Sequence, residues 1–145
     1  MVIMRVAFLP IDNRPVCYTL PKLIAQTDDG IEFFIPERGL LGGLTKNADI
    51  EGLFDWMRGL PELDAMVLSL DTIAYGGLIP SRRCPETFEQ IKARVEKLKE
   101  ILIEKKCKIY AFSSIMRISN NNYNIEEKEY WADWGEKIFK YSYEG

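Results

Sequence analysis

Histidine is absent from all 145 residues of the chain. Without an imidazole it cannot by itself assemble a Ser-His-Asp or Cys-His catalytic site, or the usual histidine-bearing metal centres, unless another chain supplies the ring. Its chemistry must rest on carboxylates, tyrosine, lysine, arginine and hydroxyls. Cysteine is scarce: Cys17, Cys84 and Cys107 are odd in number, widely spaced and form no C-x-x-C pair. That pattern argues against a disulfide framework and a structural zinc site, and it suits a reducing cytoplasm. Long apolar runs are missing as well. The longest, such as "AMVLSL" at 65–70, fall far short of the ~20 residues of a membrane-spanning helix. "MVIMRVAFLP" carries an arginine and no cleavage site after it, so it reads as a strand and not as a signal peptide. A formal charge of -3 offers no basic excess for nucleic acid. Two phosphate-binding signatures also fail. No G-x-G-x-x-G follows the first apolar run, and "GLLGGLTK" at 39–46 lacks the G-x-x-x-x-G-K-[ST] order.

What is present reads as one soluble globular domain, with 47% hydrophobic and 28% charged residues. Short apolar runs at 3–10, 31–36, 65–70 and 108–114 have the length and β-branched or aromatic character of strands covered on both faces. Between them, 18–27, 47–60 and 85–106 can be helical. The third is the clearest, with Phe88, Ile91, Val95, Leu98 and Leu102 on one stripe, Pro85 in its first turn, and Glu86 and Glu89 at the positive end of its dipole. A fourth helix is expected from about Ile125, with Trp131, Trp134 and Ile138 on a packing stripe. Such a β-α alternation predicts a three-layer α/β/α domain around a mainly parallel sheet of about four strands. The competing architecture is the first half of a (β/α)8 barrel, whose spacing is similar.

The connections are unequal. Helix-to-strand links are short, whereas strand-to-helix links such as "IDNRPVCY", "ERGLLGGLTKN" and "DTIAYGGLIPSRRC" are long and polar. In parallel α/β proteins ligands lie beyond the carboxyl ends of the strands, so these loops mark the expected functional edge. They offer Asp12, Asn13 and Arg14 after the first strand and Glu37 and Arg38 after the second. Asp71 and Tyr75 follow the third, and Ser113, Ser114 and Arg117 the fourth. Asp12 and Asp71 lead as a general acid and base. They could equally hold a hard cation with Asn13 or Glu37, or simply cap turns and pair with arginine, Arg14 being a partner for Asp71 or Glu37. Arginines suit an anionic or polyhydroxyl ligand. Arg82 and Arg83 read as solvated, and the Cys17 thiol lacks a base to activate it.

The stretches "FLPIDNRPVCYTLPKLIA", "PERGLLGGLTKNADIEGLFDWM" and "DAMVLSLDTIAYGGLIPSRR" together resemble the amino-terminal part of the bacterial family of unknown function DUF4127. Asp12, Arg14, Pro15, Asp71, Tyr75, Gly76, Gly77, Ser81 and Arg82 stand at its motif positions. The resemblance implies a single α/β domain over 1–145 that is the first part of a longer protein, and it brings no known activity.

The functional expectation is a carboxylate-dependent hydrolase of glycosidase type, acting on a small polar metabolite, possibly a carbohydrate, at the strand ends. Asp12 and Asp71 would be catalytic; Asn13, Arg14, Glu37, Arg38, Tyr75, Ser113 and Arg117 would contact substrate. The alternative is a non-catalytic small-ligand-binding or regulatory module. No cofactor is predicted, a divalent metal has no specific support, and the oligomeric state is left open.

Overall fold

The computed structural model describes residues 3–144. Four short strands, β1 (Met4–Leu9), β2 (Ile31–Phe34), β3 (Ala65–Ser69) and β4 (Lys108–Phe112), pair in parallel in the order β2-β1-β3-β4. Because β1 lies between β2 and β3, the sheet is an open doubly wound one. A barrel would place β2 between β1 and β3, so that alternative is overturned.

Side chains alternate along each strand, and one face carries the core. Ala7, Leu9, Met66 and Leu68 are fully buried there against Leu53, Phe54 and Met57 of α2 (Ile50–Gly59) and Leu98 and Ile101 of α5 (Phe88–Lys105). The right-handed rule for parallel crossovers puts α1 (Thr19–Ala25), between β1 and β2, on the opposite face. That face is the thinner layer. Phe8 and Val67 remain half-buried and Tyr110 and Phe112 are exposed, so the expectation of strands covered on both faces holds for one face only.

Three local expectations need correction. The long link after β3 is not a loop. It holds two short helices, α3 (Leu70–Tyr75) and α4 (Leu78–Arg83), separated by Gly76 and Gly77. Ser69 caps α3 by accepting from the Thr72 N–H, so the apolar strand passes directly into a helix, and Asp71 lies in its first turn. Next, α5 begins after Pro85 and Glu86: Thr87 and Gln90 form a reciprocal capping box. Its buried residues are Leu98 and Ile101, while Phe88 and Val95 project into solvent. Finally, the last helix, α6 (Trp131–Glu144), starts six residues later than expected. Trp131 is buried and Trp134 exposed.

Candidate functional site

The strand order reverses between β1 and β3, one crossover leaving toward β2 and the next toward β4. The loops at such a point diverge and leave a crevice at the carboxyl edge. A cavity of about 350 Å³ occupies it. Asp12, Asn13 and Arg14 line it from the loop after β1, Gly43 and Leu44 from the loop after β2, and Leu78, Ile79 and Arg82 from α4. Met116 and Glu126, from the segment after β4, complete the wall. All four strand ends therefore contribute to one rim.

Asp12 is buried at 3% exposure, and its charge is compensated within its own turn. Its carboxylate accepts from the Arg14 backbone N–H at 3.1 Å and from Arg14 Nε at 2.8 Å, with Arg14 Nη2 at 2.6 Å. Two guanidinium nitrogens on one carboxylate form a charge-assisted fork, and this pairing pushes the Arg14 pKa up. Arg14's partner is thus Asp12, not Asp71 or Glu37. Half of the Arg14 side chain stays exposed, leaving guanidinium N–H groups to face a ligand. Cys17 lies beside this pair. Burial, and then the Asp12 carboxylate, push its thiol pKa up, opposite to what a nucleophile requires.

The facing wall carries a second ion pair. Arg82, with only 16% of its side chain exposed, holds Glu127 at 2.8 Å and Glu126 at 3.6 Å, and its Nε lies 3.0 Å from the Met116 sulfur. The sequence pattern around Arg82 predicts a solvated side chain. Its burial follows from α4, whose formation hinges on the Gly76-Gly77 turn, and from a contact made across 45 residues that no local pattern reveals.

The remaining predicted residues serve the rim indirectly or lie off it. Arg38 Nε donates to the Asn13 carbonyl at 2.9 Å, and its guanidinium sits 5.6 Å over the Tyr18 ring, holding the first loop against the second. Glu37 precedes the 3-10 turn at Arg38–Leu40 and is exposed. Asp71 is buried and does not line the cavity. Its carboxylate accepts from the Ser114 N–H at 2.8 Å and from Ser113 Oγ at 3.4 Å. Tyr75, at the end of α3, is half-buried, and Arg117 is exposed; neither lines the cavity. Among the described residues no three Asp, Glu or Cys side chains converge to hold a metal ion.

With this geometry in place, the comparison with known families is specific. The chain belongs to the family described as "Protein of unknown function (DUF4127)", which matches residues 6–144. No curated protein and no solved structure matches it. Among the described residues, no helix is long and apolar enough to cross a membrane.

Proposed function

We propose that this DUF4127 chain binds a small polar metabolite, with a carbohydrate or carbohydrate derivative as the ligand class, in the crevice between β1 and β3. One observation carries the reading: Arg14 with Asp12 on one wall, and Arg82 with Glu126 on the other, face a single cavity whose remaining lining includes Leu44, Leu78, Ile79 and Met116. Paired charges present fixed donors and acceptors without a strong net field. That suits a ligand rich in hydroxyls with an apolar ring face better than a phosphate or a cation. Asn13 adds an amide with both a donor and an acceptor. The three cysteines are free and half-buried, which supports a reducing compartment, and we place the protein in the cytoplasm.

Hydrolysis is the second reading. It is favoured by two carboxylates, Asp12 and Glu126, lining the same cavity, the arrangement in which glycosidases work. Asp71 would then support the site from behind through Ser113 and Ser114 instead of reacting.

A thermal-shift screen of the chain against neutral sugars, sugar phosphates and divalent cations tests the first reading, repeated with Asn13→Ala. A neutral sugar that raises the melting temperature of wild type and not of the variant is the expected result. Silence across the neutral sugars, or an equal response from the variant, overturns it. Slow release of reducing ends that Asp12→Asn and Glu126→Gln each abolish would establish the second.

A further inference from the structure

Residues 113–130 form no helix or strand, yet they supply the Met116 and Glu126 walls of the cavity. The segment is pinned near its start and at its middle. At the first point the Ser114 N–H donates to buried Asp71; at the second the buried Trp131 ring N–H donates to the Asn121 carbonyl at 2.8 Å and the Glu136 N–H to the Asn122 side chain at 2.9 Å. Elsewhere along it there is little apolar burial. Ile115 is fully exposed, and Ile118, Tyr123 and Ile125 are exposed too. A stretch held by polar contacts and not by a packed face opens at lower free energy than the core beneath it.

Three of those polar contacts meet one side chain. Arg82 holds Glu127 and Glu126 and touches the Met116 sulfur. Ser119 Oγ adds a hydrogen bond to the same Glu127 at 3.2 Å, fastening the strand of chain to itself just where Arg82 grips it. Two exposed bonds flank the grip, from Arg83 to the Ile125 carbonyl and from Lys128 to the Cys84 carbonyl, each at 3.1 Å.

We propose that residues 115–128 are a strap that gates the cavity, with Arg82 as its latch. The proposal rests on the reading of that cavity as a ligand site. The latch stands on a firm base: α4 is set by Gly77, and its own Ile79 and Pro80 are buried. Opening therefore moves the strap, carrying Met116 and Glu126 away from the Asp12, Asn13 and Arg14 wall, while that wall stays put. Arginine is required because its planar fork reaches two carboxylates and a sulfur at once, which a lysine ammonium does not.

Hydrogen exchange of the full chain, read by peptide, tests the latch in Arg82→Gln and in Glu127→Gln. Peptides carrying the Tyr123 and Glu127 amides, which donate to the Asn121 side chain and the Asn124 carbonyl, should exchange at least about tenfold faster in both variants, the loss of one charge-assisted hydrogen bond, while peptides of β1 and β3 keep their wild-type rates. Access to the cavity is read separately, by the rate at which a small methanethiosulfonate labels Ile79→Cys in a chain whose three native cysteines are serine. Arg82→Gln should raise that rate by a similar factor. Unchanged exchange in 115–128, exchange that rises equally in strap and sheet in both variants, or an unchanged labelling rate would each overturn the proposal. Neither measurement needs a ligand, so a strap that opens over a cavity binding no sugar would separate this proposal from the preceding one.

Discussion

The Ser114 N–H donates a 2.8 Å hydrogen bond to the carboxylate of Asp71, joining the end of β4 to the first turn of α3 across 43 residues. Asp71 is 4% exposed, and its buried carboxylate accepts this bond and one from the Ser113 hydroxyl. Asp71→Asn should cost about 1–3 kcal/mol of unfolding free energy, the range for a buried charged acceptor, and Asp71→Ala more. Denaturant titration measures both. Binding of any neutral sugar found for wild type should survive Asp71→Asn within a few-fold; complete loss with the fold intact would return Asp71 to the site itself.

Cys17 offers a spectator's view of the Asp12–Arg14 pair. Burial and the neighbouring carboxylate hold its thiol above the ordinary range, while Arg14 pulls the other way. A raised pKa means less thiolate at neutral pH, so alkylation of Cys17 should be slower than that of a free thiol and should rise with pH. Asp12→Asn removes a raising influence and should speed it at fixed pH. Iodoacetamide labelling followed by peptide mapping reads the rate site by site.

Glu86 ties the start of α5 to its second turn. Arg94 Nη1 donates to Glu86 at 2.7 Å and also to the Ala74 carbonyl at 3.0 Å, linking α5 with α3. This partner holds the Glu86 carboxyl below the usual carboxylate value. A folded pKa below the unfolded one stabilises the fold at every pH above the unfolded value, and the benefit fades as pH falls through the folded value. Glu86→Gln should therefore cost about 0.5–1 kcal/mol at neutral pH, as a partly exposed pair does. The gap to wild type should close as pH drops below about 4.3, the unfolded glutamate value. Urea midpoints across a pH series test the trend.

Gly77 has φ 134° and ψ -175°, a region that side chains essentially exclude. Gly77→Ala should cost about 1–3 kcal/mol. It should also loosen α4, seen as faster amide exchange in 78–83, because the turn it breaks is what sets that helix beside the cavity.

Much of the architecture was legible because it is written locally. Runs such as Ala65–Ser69 have the length and apolar character of buried strands, and the spacing of Leu53, Phe54 and Met57 declares a helix face. The rim was legible for the same reason: Asp12, Asn13 and Arg14 follow directly from a strand end. What stayed hidden depends on contacts distant in sequence. Asp12 and Asp71 were expected as a pair, but Asp71 turns toward Ser114, and a carboxylate from the far segment, Glu126, lines the cavity with Asp12 instead. The glycine pair in "AYGGLIP" has positive φ angles that turn the chain between two helices, which brings Arg82 inward. The thin sheet face could not be foreseen either, since the apolar character of Phe8, Val67 and Tyr110 says that a face wants cover, not that cover is supplied.

At Gly42 the backbone runs so close to the Gly76 carbonyl that a Cβ would collide with it. The Gly42 carbonyl in turn accepts from the Asn13 N–H at 3.0 Å, and the Gly76 carbonyl accepts from the Ala48 N–H at 2.9 Å. The three connections that follow β1, β2 and β3 are thus meshed like gear teeth, and none can shift without dragging the others. Compliance in this rim is left to the side built from the fourth connection, so any adjustment to the size of a guest must be made there.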